Sequence, residues 1–108
     1  MVNRSVVTAV RKYLRVLQDR GLVVRFAVVF GSQARGNAEL SSDIDLLVVS
    51  PRFDRSRKRQ DVNLLWRMAA RTDSRIEPIP CGEKQWDEDD VSPIIEIARR
   101  EGQMIKAA

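Results

Sequence analysis

Two aspartates separated by one residue, Asp43 and Asp45, stand at the entrance of the apolar run Ile44 to Val49. In an extended strand alternate side chains share a face, so these carboxylates would sit with Cα atoms roughly 6.5–7 Å apart. Like charges at that spacing repel unless a cation lies between them, and carboxylate oxygens are the ligands that hard divalent cations take. Read alone, Asp-x-Asp is a weak signal, and the pair more simply has one aspartate capping a turn and the other facing solvent at a sheet edge. Upstream lies Gly31-Ser32-Gln33-Ala34-Arg35-Gly36. Glycine lets a backbone approach a phosphate closely, and serine supplies a hydroxyl and a capping position where a helical turn begins. Arg35 on that turn would add charge-assisted contacts to the same phosphates. Gly31 and Gly36 have the glycine spacing of a Walker loop, but Asn37-Ala38 follow where that loop needs Lys and Ser/Thr.

The rest of the composition narrows the chemistry. The chain has 108 residues, no histidine and one cysteine, Cys81. A Ser-His-Asp triad, imidazole ligation, an internal disulfide and a cysteine-rich zinc site are therefore excluded. Carboxylates, hydroxyls, Lys/Arg and backbone amides must do any chemistry, and a metal would be oxygen-ligated, magnesium first. No apolar run approaches the ~20 residues of a membrane span, and the N-terminus lacks a signal-peptide core. One cytoplasmic domain over residues 1–108, without membrane contact, is the expectation. The net charge is +4, unevenly spread: residues 1–78 hold 15 basic and 8 acidic side chains, residues 79–108 hold 4 and 7. Such a balance suits a phosphate-bearing ligand or an acidic partner, or simply aids solubility.

The elements that must position these residues are legible from periodicity. Val6, Val10, Leu14 and Leu17 recur at helical spacing, so a helix is expected from about Ser5 to Arg20, stopped by Gly21. Leu22 to Phe30 is β-branched and aromatic and reads as a strand ending at Gly31-Ser32. Ile44 to Val49, bounded by Ser41-Ser42 and Ser50-Pro51, reads as the next strand. A basic stretch, Arg52 to Arg59, leads into a helix from about Arg57 to Arg71, with Val62, Leu65, Met68 and Ala69 inward and Trp66 near the same stripe in the core. Arg75 to Pro80 is a third strand, able to pair freely on one side only because proline donates no ladder bond. Glu83 to Asp90, acidic around Trp86, reads as a loop; Trp86 would pack it against the sheet, with stacking on a base or anchoring a partner as the alternatives. Ser92-Pro93 opens a last helix, Ser as N-cap, to about Glu101 and Gly102, and Gln103 to Lys106 is a short strand. The expected fold is α/β (α+β), a small mixed sheet covered by helices.

Ser32 and Asp43 are separated by ten residues, and Asp45 completes the pattern. Gly-Ser, ten residues, then Asp-x-Asp resembles the signature of the DNA polymerase β-like nucleotidyltransferase superfamily. The wording Gly-Ser-x-Ala-Arg-Gly with Ser-Asp-Ile-Asp-Leu-Leu-Val is similar to its minimal nucleotidyltransferases. The resemblance implies a third carboxylate on a neighbouring strand. Glu77 is the only acidic residue inside the proposed third strand, beside Pro78; an ordinary edge glutamate is the bland alternative, and Asp73 the fallback. It implies that Gly31, Ser32 and Arg35 grip the phosphates of a nucleoside triphosphate, ATP by preference. Asp43, Asp45 and Glu77 would bind magnesium, with manganese as the alternative ion, while AMP passes to an acceptor hydroxyl. The resemblance also implies a HEPN-domain toxin as partner and acceptor, with the chain as its antitoxin; oligomerisation stays open. The alternative is an antitoxin or assembly subunit that works by binding alone. A nucleic-acid reading of Arg52, Arg55, Arg57, Lys58 and Arg59 is not favoured, since Phe53 is the only aromatic among them. Cys81 reads as a small structural residue.

Overall fold

In the computed structural model, which describes residues 2–36 and 42–107, the chain runs α1 (Arg4–Asp19), β1 (Phe26–Phe30), α2 (Ser32–Arg35), β2 (Ile44–Val49), α3 (Arg52–Arg55), α4 (Arg59–Thr72), β3 (Ile76–Cys81), α5 (Glu83–Glu88), α6 (Pro93–Glu101) and β4 (Gln103–Ile105). The turn residues Asn37, Ala38 and Ser41 lie outside the described residues. The four strands form one mixed sheet in the order β3-β2-β1-β4. β1 runs antiparallel to β2 and β4, and β2 runs parallel to β3. This is the small mixed sheet covered by helices that the sequence implies. Among the described residues no helix is long and apolar enough to cross a membrane.

Alternation along the strands divides the apolar side chains between two faces. On one face Ala27, Val29, Ile44, Leu46, Val48 and Ile76 meet α1 and α4, which bury Val10, Leu14, Leu17, Leu65 and Met68 against them. The Tyr13 hydroxyl donates to the carbonyl of Leu65 at 2.8 Å and joins the two helices; burial pushes its pKa far up. On the other face Val28, Phe30, Leu47, Val49 and Cys81 form a smaller cluster with Ile95 and Ala98 of α6. Burial raises the Cys81 thiol to about 11, consistent with an inert structural residue.

Several boundaries depart from the sequence expectation for physical reasons. β1 starts at Phe26, not Leu22, because its ladder with β2 ends at the pair Phe26 and Val49. Ahead of it the chain leaves α1 through Gly21 at φ +90°, burying Leu22 and Val24 while Val23 faces solvent. The basic stretch forms its own turn, α3, and α4 begins at Arg59. Asp61, Leu65, Met68 and Ala69 make the buried stripe of α4; Val62 is half-buried and Trp66 is 49% exposed. Trp66 is therefore not in the core. The acidic stretch is a helix, α5, whose first amides are capped from a distance: Asp54 accepts from the backbone N–H groups of Lys84 and Gln85. α6 starts at Pro93 as expected, but Ser92 makes no side-chain cap bond; Asp89 accepts from the amides of Val91 and Ser92 instead.

The two prolines of β3 occupy outward positions. The ladder to β2 runs through the carbonyls of Arg75 and Cys81, so by alternation the odd-numbered residues face β2 and Pro78 and Pro80 face the open edge.

Candidate active site

The register of the sheet brings the acidic residues of the sequence motif to one end. Asp45 pairs with Phe30 of β1 on one side and with Glu77 of β3 on the other. Neighbouring strands lie about 4.8 Å apart, so Asp45 and Glu77 are side by side. Both project on the face of Leu47, Val49 and Cys81, where the smaller core stops short. Asp43 precedes β2 by one residue and is exposed, rather than lying within the strand.

The electrostatics record that crowding. Asp45 is raised above the usual carboxylate range, first by burial and then by the charge of Asp43, with Arg35 pulling the other way. Glu77 is raised by desolvation, by the charges of Asp43 and Asp45, and by a hydrogen bond with Asp43. Asp73 does not join them. Its carboxylate binds Arg75 at 2.8 Å, and that hydrogen bonding holds it below its usual range.

The turn after β1 completes the site. Gly31 sits at φ +73°, a conformation that suits glycine, and a Cβ there would run into Oδ2 of Asp45. The close approach of this turn to Asp45 therefore depends on glycine. Gly31 is the N-cap of α2 and Ser32 its first residue, so Ser32 does not take the capping position expected of it. Gly31 O accepts from the amides of Ala34 and Arg35 at 3.1 and 3.2 Å. The earlier amides, of Ser32 and Gln33, precede these bonds. Arg35 reaches across to Glu101 at the end of α6, 3.7 Å away.

A family model of the nucleotidyltransferase domain matches residues 10–105. The chain belongs to the nucleotidyltransferase domain family. No curated protein matches it significantly. Among solved structures, a candidate nucleotidyltransferase from Sulfolobus solfataricus aligns with a TM-score of 0.61 at 18% identity, over 91% of this chain and 77% of that one. A toxin–antitoxin structure with AMP-PNP gives 0.61 at 17%, over 91% and 73%. A mutant of the MntA–HpeT toxin–antitoxin gives 0.59 at 16%, over 90% and 72%. At these identities the likeness is one of fold.

In this nucleotidyltransferase domain the donor set fits a hard divalent cation: three carboxylates, no competing soft ligand, and mutual repulsion that a cation would relieve. Among the described residues no three such side chains are closed around one point at metal-holding geometry. The trio is gathered rather than closed.

Sequence reasoning missed one member of this region, Gln33. It is 6% exposed, and its side-chain amide donates to the carbonyl of Ser42 at 3.0 Å. That bond ties α2 to the residue immediately before Asp43, across the span 37–41. A polar residue in a one-turn helix leaves no periodic signal, so local patterning could not have singled it out.

Proposed function

We propose that this nucleotidyltransferase domain transfers AMP from ATP to a hydroxyl on a partner protein, acting as the antitoxin of a toxin–antitoxin pair whose toxin carries a HEPN domain. The observation that carries this reading is the register that sets Asp45 beside Glu77, with Gly31 packed against the same carboxylate. Family membership supplies the reaction class. Two structures of the same fold are toxin–antitoxin assemblies, one with an adenine nucleotide analogue, which supports both donor and partner.

Gly31, Ser32 and Arg35 hold the β and γ phosphates, through backbone amides, a hydroxyl and a guanidinium. Asp43, Asp45 and Glu77 are the ligands for magnesium, or manganese in its place. When bound, that cation neutralises phosphate charge and polarises the reacting oxygens. The acceptor oxygen attacks the α-phosphorus, the bond to the β-phosphate oxygen breaks, and pyrophosphate leaves. With no histidine in the chain, the acceptor proton passes to Glu77 or to water. Gln33 holds the phosphate turn and the Asp43 segment in one frame, and positioning of this kind carries much of the rate.

The test is incubation of the full chain with ATP labelled at the α-phosphate, magnesium and the candidate HEPN partner. Label on the partner, lost in Asp43→Asn and on chelation, is the expected result. A tight complex that silences the toxin without label, and is indifferent to Asp43→Asn, would instead establish the binding-only antitoxin.

A further inference from the structure

The helical layer formed by α1 and α4 carries a surface that the transfer site does not use. Both helices cover the same face of the sheet and touch each other. Arg11, Lys12 and Arg15 on α1 and Arg59, Arg67 and Arg71 on α4 are exposed. Among the described residues none of the six is in an ion pair. Trp66 is 49% exposed, the one large exposed apolar side chain of α4. Arg59, two turns earlier, lies on the same stripe, and Arg67 borders it.

At the N-terminal end of α4 this surface opens into a polar cleft of about 290 Å³, lined by Arg52, Arg55, Lys58 and Asp61 among others. Arg52 is engaged by Asp61 at 3.4 Å. Arg55 and Lys58 have no such partner among the described residues. The cleft lies beyond the far end of β2 from Asp43 and Asp45, so it is separate from the transfer site.

We propose that this face docks single-stranded nucleic acid, with the phosphodiester backbone along Arg59 and Arg67 of α4 and a base stacked on Trp66. Three observations favour that occupant. Unpaired cations provide the charge complementarity that phosphates require. A solvent-facing indole offers the sequence-tolerant stacking platform of single-strand binders, which a closed duplex could not use. A protein partner would look for an apolar centre, and one tryptophan beside Arg59 and Arg67 does not make one.

The test is fluorescence anisotropy of the full chain with a labelled 12-nucleotide oligouridylate, its oligothymidylate counterpart, a duplex of equal length and polyglutamate. Single strands bind and the duplex binds more weakly; the RNA-to-DNA ratio names the source. Trp66→Ala weakens binding about 5- to 150-fold, while Trp66→Phe, which keeps a ring, weakens it less. Arg59→Glu with Arg67→Glu flattens the salt dependence by roughly two phosphate contacts, about 0.7 of a log–log unit each. Arg100→Glu, on the opposite layer, leaves binding unchanged. Circular dichroism of each variant checks that it is folded. Absence of binding at 50 mM salt, binding indifferent to Trp66→Ala, equal affinity for duplex, or equal affinity for polyglutamate would each overturn the proposal, the last in favour of an acidic protein partner.

Discussion

The two faces of the sheet are covered by helical layers of opposite character. α1 and α4 seal the larger core and carry seven cations against two carboxylates, one of which, Asp61, is buried. α5 and α6 cover a smaller core with three cations and five carboxylates. The difference extends to how the charges are employed. On the α5/α6 side Arg25 binds Glu83, Arg100 binds Glu96 and Glu101, and Arg99 donates to the carbonyl of Trp86 while lying 5.5 Å from its ring centroid. Trp86 also meets Phe26 edge-on at 5.6 Å. On the α1/α4 side the cations have no such partners among the described residues, and Trp66 faces solvent. The incomplete cover on the α5/α6 side is also what leaves Asp43, Asp45 and Glu77 accessible.

The sharpest way to break this comparison is through the cores. Leu14→Ala, behind the basic layer, should cost about 3–5 kcal/mol, and Ile95→Ala, in the smaller cluster, about 2 kcal/mol; urea unfolding measures both. Equal losses would mean that the two cores hold the sheet alike. Next come the tryptophans. Trp86→Ala should cost about 2 kcal/mol through lost ring packing and the Arg99 contact, and Trp66→Ala less than about 0.5 kcal/mol. A large loss at Trp66 would place it in the fold's own packing.

A smaller effect comes from the candidate active site. The folded pKa of Asp45 is raised, so its carboxyl adds stability below the ordinary carboxylate range and loses it as pH rises through the shifted value. Asp45→Asn should therefore melt higher than the unsubstituted chain at pH 7 in the absence of divalent cations. The gap should close as pH falls below the ordinary carboxylate range, where both side chains are neutral. Magnesium should raise the melting temperature of the unsubstituted chain and not of Asp45→Asn. The smallest effect is expected from salt alone. Moving from 20 to 200 mM sodium chloride screens the crowded cations of α1 and α4 and should stabilise the chain by under about 1 kcal/mol, an increment that shrinks in Arg67→Glu.

What could be read from the sequence follows the range of the forces involved. β2 was legible to the residue because serines and Pro51 bracket an apolar run, and α6 because Pro93 and Gly102 mark its ends. The start of β1 was not, since it is set by where the partner strand ends. α5 was hidden because its cap, Asp54, lies 30 residues before Lys84 in the chain. Trp66 was misplaced because the buried stripe of α4 runs through Asp61, Leu65, Met68 and Ala69, one step around the helix from it. The acidic trio shows both cases together. Asp43 and Asp45 are a local motif, whereas the placement of Glu77 depends on a parallel register between segments separated by α3 and α4.

The prolines at the open edge of β3 have a consequence for the chain in a crowded solution. An outer strand whose outward positions 78 and 80 lack N–H groups cannot template the addition of another strand. Fibril growth by edge pairing is thereby blocked on that side, and on the other the outer strand, β4, is only three residues long. A protein built around an apolar sheet is thus protected from stacking onto its own copies, and recruitment of another molecule is left to side chains rather than to the backbone.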